Sequence, residues 1–292
     1  MYSTQDWHDK GEYYDYDGTD VFYVEENPDA EETVVLVHGF PTSSWDWCKV
    51  WDELADDFHL VAVDMVGFGF SDKPAGYPYS LFDQADLHEQ LLSDLGVDRT
   101  HVLAHDYGDT VAQEMLARQN EGDDTVEIGS TLLLNGGIFY EAIDMTRTQE
   151  LLLGPDGAEI AKGITVEMFR DAFGEVFADE TRPPDEELDA FWDLINHNAG
   201  NEVMHEVIRY LNERRDNRDR WVDALCETEV PLRFAVGPED PVSGENMAKR
   251  YEEVVPNPDV KRFDGIGHYP QWEAPDRVIE EHSAFLDEKV RN

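Results

Sequence analysis

Val102-Leu103-Ala104-His105-Asp106-Tyr107-Gly108-Asp109-Thr110-Val111-Ala112 is the stretch on which the reading of this chain turns. Its first residues suit a buried strand, and from Tyr107 onward the spacing becomes helical. Between the two, the small residues Ala104 and Gly108 flank a single reactive side chain, Asp106. A strand that runs into a helix through so tight a bend presents that side chain at the end of the strand. This is the layout of a nucleophile elbow, with Ala104 in place of the first Gly and Asp106 in place of the usual Ser. The plainer reading of Asp106 is a helix N-cap.

Outward from the bend, short β-rich runs alternate with helical patterns, which predicts an α/β protein with a mostly parallel, twisted sheet and flanking helices. Strands are expected at 34–37, 60–63, 101–104, 131–134, 232–236 and 260–263. Helices are expected at 47–58, 81–95, 107–118, 245–254 and 275–289. An N-terminal hairpin is expected to turn at Asp17-Gly18. Between 136 and 226 the strand signal disappears, and helical patterns are broken at Gly154, Gly163, Gly174 and Pro183-Pro184. That stretch reads as a helical cap inserted in the sheet, dividing the chain into a core of 1–136 and 226–292 and a cap of 137–225.

The chain has 292 residues, with 22 Lys and Arg against 66 Asp and Glu, a balance of −44. An apolar share of 41% with 11% aromatics is enough for a packed core and argues against disorder. So negative a field repels phosphate backbones and anionic lipid, so neither nucleic acid nor a membrane surface is an expected partner. The excess of acid and the shortage of Lys point to a protein of a salty, halophile cytoplasm, where self-repulsion is screened. Cys48 and Cys226 make no disulfide framework, no apolar run reaches the length of a membrane span, and the polar, acidic first residues do not form a signal peptide. A cytoplasmic protein is the expectation, as a monomer or homo-oligomer.

With His38-Gly39-Phe40-Pro41, Asp64-Met65-Val66-Gly67-Phe68-Gly69-Phe70-Ser71-Asp72, and the Gly-rich loop Asp264-Gly265-Ile266-Gly267-His268-Tyr269-Pro270, the bend completes a set of motifs. The set resembles the α/β-hydrolase fold family from about Thr33 to the C-terminus, specifically its branch with an Asp nucleophile, the epoxide hydrolases and haloalkane dehalogenases. Within that branch, His105-Asp106-Tyr107-Gly108-Asp109 and the cap look most like the mesoderm-specific transcript proteins, a hydrolase-like group. The resemblance implies Asp106 as nucleophile, His268 as base and Asp240, in Pro238-Glu239-Asp240-Pro241, as the acid that orients the histidine. It also implies an oxyanion hole made of the backbone N–H groups of Phe40 and Tyr107. Competing readings are a surface loop for His268 and a simple Asp-Pro turn for Asp240. The Gly residues of the 64–72 motif read as shaping a loop, and no His/Cys spacing suggests a metal site.

A carboxylate can displace a leaving group at a saturated carbon and leave an alkyl-enzyme ester, which a His-activated water then hydrolyses. Dehalogenases of the family hold the halide with a Trp after the nucleophile and often an Asn after His-Gly; this chain has Tyr107 and Phe40 there. Epoxide hydrolases hold the oxygen with cap tyrosines, for which Tyr210 and Tyr140 are the candidates, and Trp45, Trp192 and Trp272 are candidates to line the pocket. Five arginines between Arg209 and Arg220 read as a salt-bridged helix face.

These readings converge on a hydrolase that acts through an aspartyl ester, without cofactor or metal, on a small apolar or amphipathic substrate with water. Epoxide hydrolysis to a diol is the first expectation. Haloalkane dehalogenation is the alternative, and a non-catalytic ligand-binding relative comes third. Turnover is expected to fall on the acid side as His268 gains a proton, near the ordinary imidazole value of about 6.5.

Overall fold

The computed structural model describes residues 1–291. Eight strands form one sheet: β1 Glu12–Tyr16, β2 Thr19–Glu26, β3 Thr33–Val37, β4 His59–Val63, β5 Arg99–His105, β6 Glu127–Leu134, β7 Leu232–Val236 and β8 Val260–Arg262. Their spatial order is β1-β2-β4-β3-β5-β6-β7-β8. β1 pairs antiparallel with β2 and β2 with β4, and every other pair is parallel.

Every residue of β3 and β4 is buried, because helices cover both faces of a parallel sheet. That is why Val34-Val35-Leu36-Val37 is a continuous apolar run and not an alternating one. Each such side chain removed from water contributes about 1.5–3 kcal/mol to folding. The antiparallel edge is where the hairpin was expected: Asp17 and Gly18 both have positive φ, as a two-residue hairpin turn requires.

Two local expectations fail. In place of a helix over 47–58 there is a 3-10 turn, Ser44–Trp47, and a short helix, Trp51–Ala55. The Ser44 amide donates to the Asp64 carboxylate at 2.7 Å, which ties the start of this segment to the β4 end. A helix at Thr4–Lys10 was not anticipated, although Ser3 and Asp6 form a capping box at its start and Trp7 anchors it in the core.

Between β6 and β7 the described residues contain no strand. Seven α-helices lie there: Arg147–Leu153, Gly157–Gly163, Val166–Gly174, Asp185–Asn196, Gly200–Val207, Tyr210–Asp216 and Arg218–Glu227. The first three face the ends of β3 and β5 across a cavity. No helix among the described residues is long and apolar enough to cross a membrane.

Candidate active site

β5 ends at His105, and Asp106 follows with φ 49° and ψ −104° before the helix Tyr107–Glu121 begins. A non-Gly residue held there costs about 1–3 kcal/mol, and the surrounding packing enforces it. The helix comes so close to β3 that a Cβ on Gly108 would lie 2.3 Å from the Val37 carbonyl oxygen, so only glycine fits. Asp106 serves no N-cap hydrogen bond. The strained bend therefore aims its carboxylate outward and does not cap the helix.

One oxygen of Asp106, Oδ2, accepts the Phe40 backbone N–H at 2.9 Å. The other, Oδ1, lies 4.0 Å from His268 Nε2. Tyr107 is the first helical residue, so no intrahelical carbonyl takes its amide. Phe40 is brought to this place by the turn after β3, where the Phe40–Pro41 peptide is cis.

His268 donates from Nδ1 to Asp240 Oδ2 at 2.8 Å. Asp240 is fully engaged: Oδ2 also accepts from Asn135 Nδ2 and Ser243 Oγ, each at 2.8 Å, and Oδ1 accepts the Val242 amide at 2.7 Å. Burial disfavours the Asp240 carboxylate, yet His268 and these donors outweigh burial and hold its pKa below the ordinary value. Burial likewise opposes charge on His268, but Asp240, with help from Asp106 and Glu273, wins and raises the imidazole to about 9.

The loop that carries His268 is fastened from three sides. The His268 amide donates to the Val176 carbonyl at 2.9 Å, and His105 Nε2 donates to the His268 carbonyl at 2.8 Å. Burial pushes the His105 pKa well below its ordinary value, so that ring stays neutral and can hold this bond. Third, the Glu273 carboxylate accepts the amides of Gly267 and Tyr269, each at 2.9 Å, together with the Ala178 amide at 3.1 Å and the Thr181 hydroxyl at 2.5 Å. A Cβ on Gly267 would meet the Ala178 nitrogen at 2.5 Å, so glycine is what lets the loop seat against 176–178.

Asp106, His268 and Tyr269 floor a cavity of about 440 Å³ whose walls come from the helices Arg147–Leu153, Gly157–Gly163 and Val166–Gly174. Phe40 and Pro41 share the floor. The structure therefore brings together Asp106, His268, Asp240 and Phe40, but it redistributes the remaining candidates. Tyr210 is buried behind the floor, its ring 4.7 Å from that of Tyr107 and 5.8 Å from that of Phe40. Burial and the nearby Asp106 charge raise its pKa, partly offset by Arg214, so it keeps its proton.

Tyr140, Trp45, Trp192 and Trp272 do not line the cavity. Tyr140 sits half-buried on the turn Tyr140–Ala142, where the neighbour its hydroxyl interacts with is Arg215. Trp45 donates its indole N–H to the Tyr2 carbonyl, and Trp272 donates to Glu187, with the two rings packed 4.8 Å apart. Their indole N–H groups needed partners on burial and found them away from the cavity.

The arginine cluster also splits. Arg215, Arg218 and Arg220 pair with carboxylates as expected. Arg214 instead is 3% exposed, donates to Thr110 Oγ1 at 2.9 Å and to the Asp106 carbonyl at 3.5 Å, and lies over the Tyr210 ring. The 64–72 motif is a structural loop: Asp64 accepts the amides of Ser44 and Phe70 at 2.7 Å each. Among the described residues no group of three or more His, Cys, Asp or Glu is arranged to hold a metal ion.

A sheet of this order, a strained carboxylate at the end of β5 and a His–Asp pair after β7 and β8 define a hydrolase-type scaffold. Residues 34–281 match the Alpha/beta hydrolase family, and the chain belongs to it. It is 40% identical over 294 residues to the mesoderm-specific transcript homolog protein of Bos taurus, covering 96% of this chain and 87% of that protein. It is 34% identical over 284 residues to the putative hydrolase LipZ of Mycobacterium tuberculosis (strain CDC 1551 / Oshkosh), covering 97% and 98%. Among solved structures, the epoxide hydrolase CorEH superposes with a TM-score of 0.77 at 19% identity, covering 95% of this chain and 98% of that one. The haloalkane dehalogenase DbeA from Bradyrhizobium elkani USDA94 also gives 0.77, at 22% identity and 95% and 97% coverage. Equal scores at such low identity establish the shared fold and do not discriminate between the two chemistries.

Proposed function

We propose that the protein hydrolyses an epoxide to a diol through an ester on Asp106. The observation that carries this reading is the placement of the two Asp106 oxygens. Oδ2 is held by the Phe40 N–H, and Oδ1 faces both the cavity and His268 Nε2 at 4.0 Å. A Ser nucleophile would need His268 to remove its proton; an aspartate needs no base for its first step. In that step Oδ1 attacks a ring carbon, the C–O bond breaks, and the alkoxide takes a proton from water in the cavity.

His268 acts in the second step. Nε2 takes a proton from water, the hydroxide adds to Cγ of Asp106, and the oxyanion is held by the amides of Phe40 and Tyr107. Collapse releases the diol and regenerates the carboxylate, and the proton held by His268 neutralises the hydroxide left by the first step. The sum is epoxide plus water to diol, with water as the only co-reactant. The helices between β6 and β7 act as a cap of about 137–225 that keeps bulk water from the ester. A salty cytoplasm, suggested by the acidic composition, is part of the same proposal.

The positions that would grip a halide carry Phe40 and Tyr107, neither of which matches the usual Asn and Trp. Replacement of His268 by Phe blocks the second step, so the ester accumulates and can be weighed on the intact protein. An epoxide adds its whole mass. A haloalkane that adds its mass less hydrogen halide, with no adduct from any epoxide, would establish dehalogenation instead. No adduct from either would leave a ligand-binding protein.

A further inference from the structure

We infer that the substrate is an uncharged molecule with an extended apolar tail, and that anions of the same shape are rejected. This rests on the reading of the floor as the reaction site and adds what the walls select. Above Asp106 and His268 the cavity is lined by Leu151, Leu152, Ile160, Phe169 and Phe173 from three successive helices, and by Ile164, which follows the second of them. At about 440 Å³ it falls within the range of roughly 300–1,000 Å³ typical of small-molecule sites. A one- or two-carbon reactant would leave these walls without partners; a tail several carbons long covers them.

Part of the wall's polar capacity is already used: Thr146 Oγ1 accepts the Gln149 amide at 3.2 Å, and Gln149 Oε1 accepts the Thr146 amide at 2.8 Å in a capping box. Among the described residues no Lys or Arg lines the cavity. Besides the His268 imidazole, which Asp240 pairs, the charges that line it are carboxylates: Asp106 at the floor, and the exposed Asp171 and Glu175 toward solvent, neither of the last two paired with a cation among the described residues. A carboxylate or phosphate carried on the tail would be desolvated away from His268 with no cation beside it, and would face the like charge of Asp171 and Glu175 at the solvent end.

Epoxidised undecenoic acid and its methyl ester test this, because chain length and reacting group are the same and only the charge differs. Measured at one salt concentration, the ester is expected to exceed the ionised acid in kcat/KM by about tenfold or more, a loss of the size that burying an unpaired charge imposes. Exchanging Asp171→Asn together with Glu175→Gln raises the acid-to-ester ratio severalfold. Ile160→Trp lowers the ratio of decene oxide to propylene oxide turnover, because the tail loses its place. Acid and ester turned over alike would overturn the inference while leaving the reaction intact. If none of these epoxides leaves an adduct on the His268→Phe protein, the reaction reading itself fails, and the substrate class with it.

Discussion

Glu273 holds the backbone on both sides of His268: its carboxylate accepts the amide of Gly267 and that of Tyr269, each at 2.9 Å. The same carboxylate accepts from Ala178 and Thr181, so one side chain joins the base loop to the segment that follows Val166–Gly174. Glu273 also places negative charge near the imidazole.

Glu273→Ala is therefore expected to slow hydrolysis of the ester by about tenfold to a hundredfold, the penalty of misplacing a catalytic group by about an ångström. Glu273→Gln keeps an acceptor but loses the charge, so its rate recovers part of the way and its pH profile moves to lower pH. A Gln variant that matches Ala in rate and shows no pH displacement would contradict the positioning role. Rapid-quench mass measurement of ester decay reads both effects.

The pH dependence follows from the charge on Asp106. In the free protein His268 is held near 9 because Asp240 and Asp106 favour its cation over the cost of burial. In the proposed ester the Asp106 charge is gone, so the imidazole would lose one source of support and its pKa would fall when it must act as a base. The alkylation step needs no neutral His268 and should be flat across the titration of the ring. The hydrolytic step should rise with pH through a limb below about 9, the ring becoming active as its proton leaves. Asp106→Asn mimics the neutral ester, so an NMR titration of the imidazole should show a lower pKa in that variant than in the wild type.

Most of the scaffold was legible because it is written in local patterns. The buried runs of β3 and β4, the Asp17-Gly18 hairpin and the strandless stretch before Leu232 all follow from short-range rules of period and turn chemistry. The positions of Asp106, His268 and Asp240 were legible because motif and chain order fix them together. What escaped was decided by tertiary contact. Nothing local marks Arg214, out of five arginines in its segment, as the one buried against the Asp106 carbonyl. Glu273 lies between the expected strand and helix, and nothing local marks it as the side chain on which the loop closes. Trp45 and Trp272 have the composition of pocket walls, but their indole N–H bonds turn them elsewhere. The helix at Thr4–Lys10 could have been found from the Ser3/Asp6 spacing.

Asp109, one turn beyond the bend, is fully buried, and no side-chain donor among the described residues pairs with its carboxyl oxygens. Burial, with Asp106 nearby, pushes its pKa well above the ordinary value and so favours its proton-bearing form in the fold. The unfolded chain releases that proton above about pH 3.9. Between the two values the native state binds more protons than the unfolded state, so this group lowers stability as pH rises. Asp109→Asn is neutral in both states and lacks that penalty. Its denaturation midpoint relative to wild type should therefore be higher at about pH 7 than at about pH 4. An equal difference at both pH values would show Asp109 to be ionised in the fold.

Salt should stabilise the protein, and two opposing effects decide the sign. Ion pairs such as Arg233 with Asp259 and Glu281 weaken as ionic strength rises. Repulsion among unpaired carboxylates weakens as well. With 66 acidic and 22 basic side chains, 66 − 22 = 44 carboxylates remain even if every cation is matched once, so repulsion outweighs pairing. Screening shortens its reach from about 30 Å at 0.01 M to about 3 Å at 1 M. The melting temperature should accordingly climb between those concentrations, and by less in a variant with several exposed Asp and Glu changed to Asn and Gln. A melting temperature that stays level or drops over that range would mean that the paired arginines, and not the surplus acid, govern the fold's response to salt.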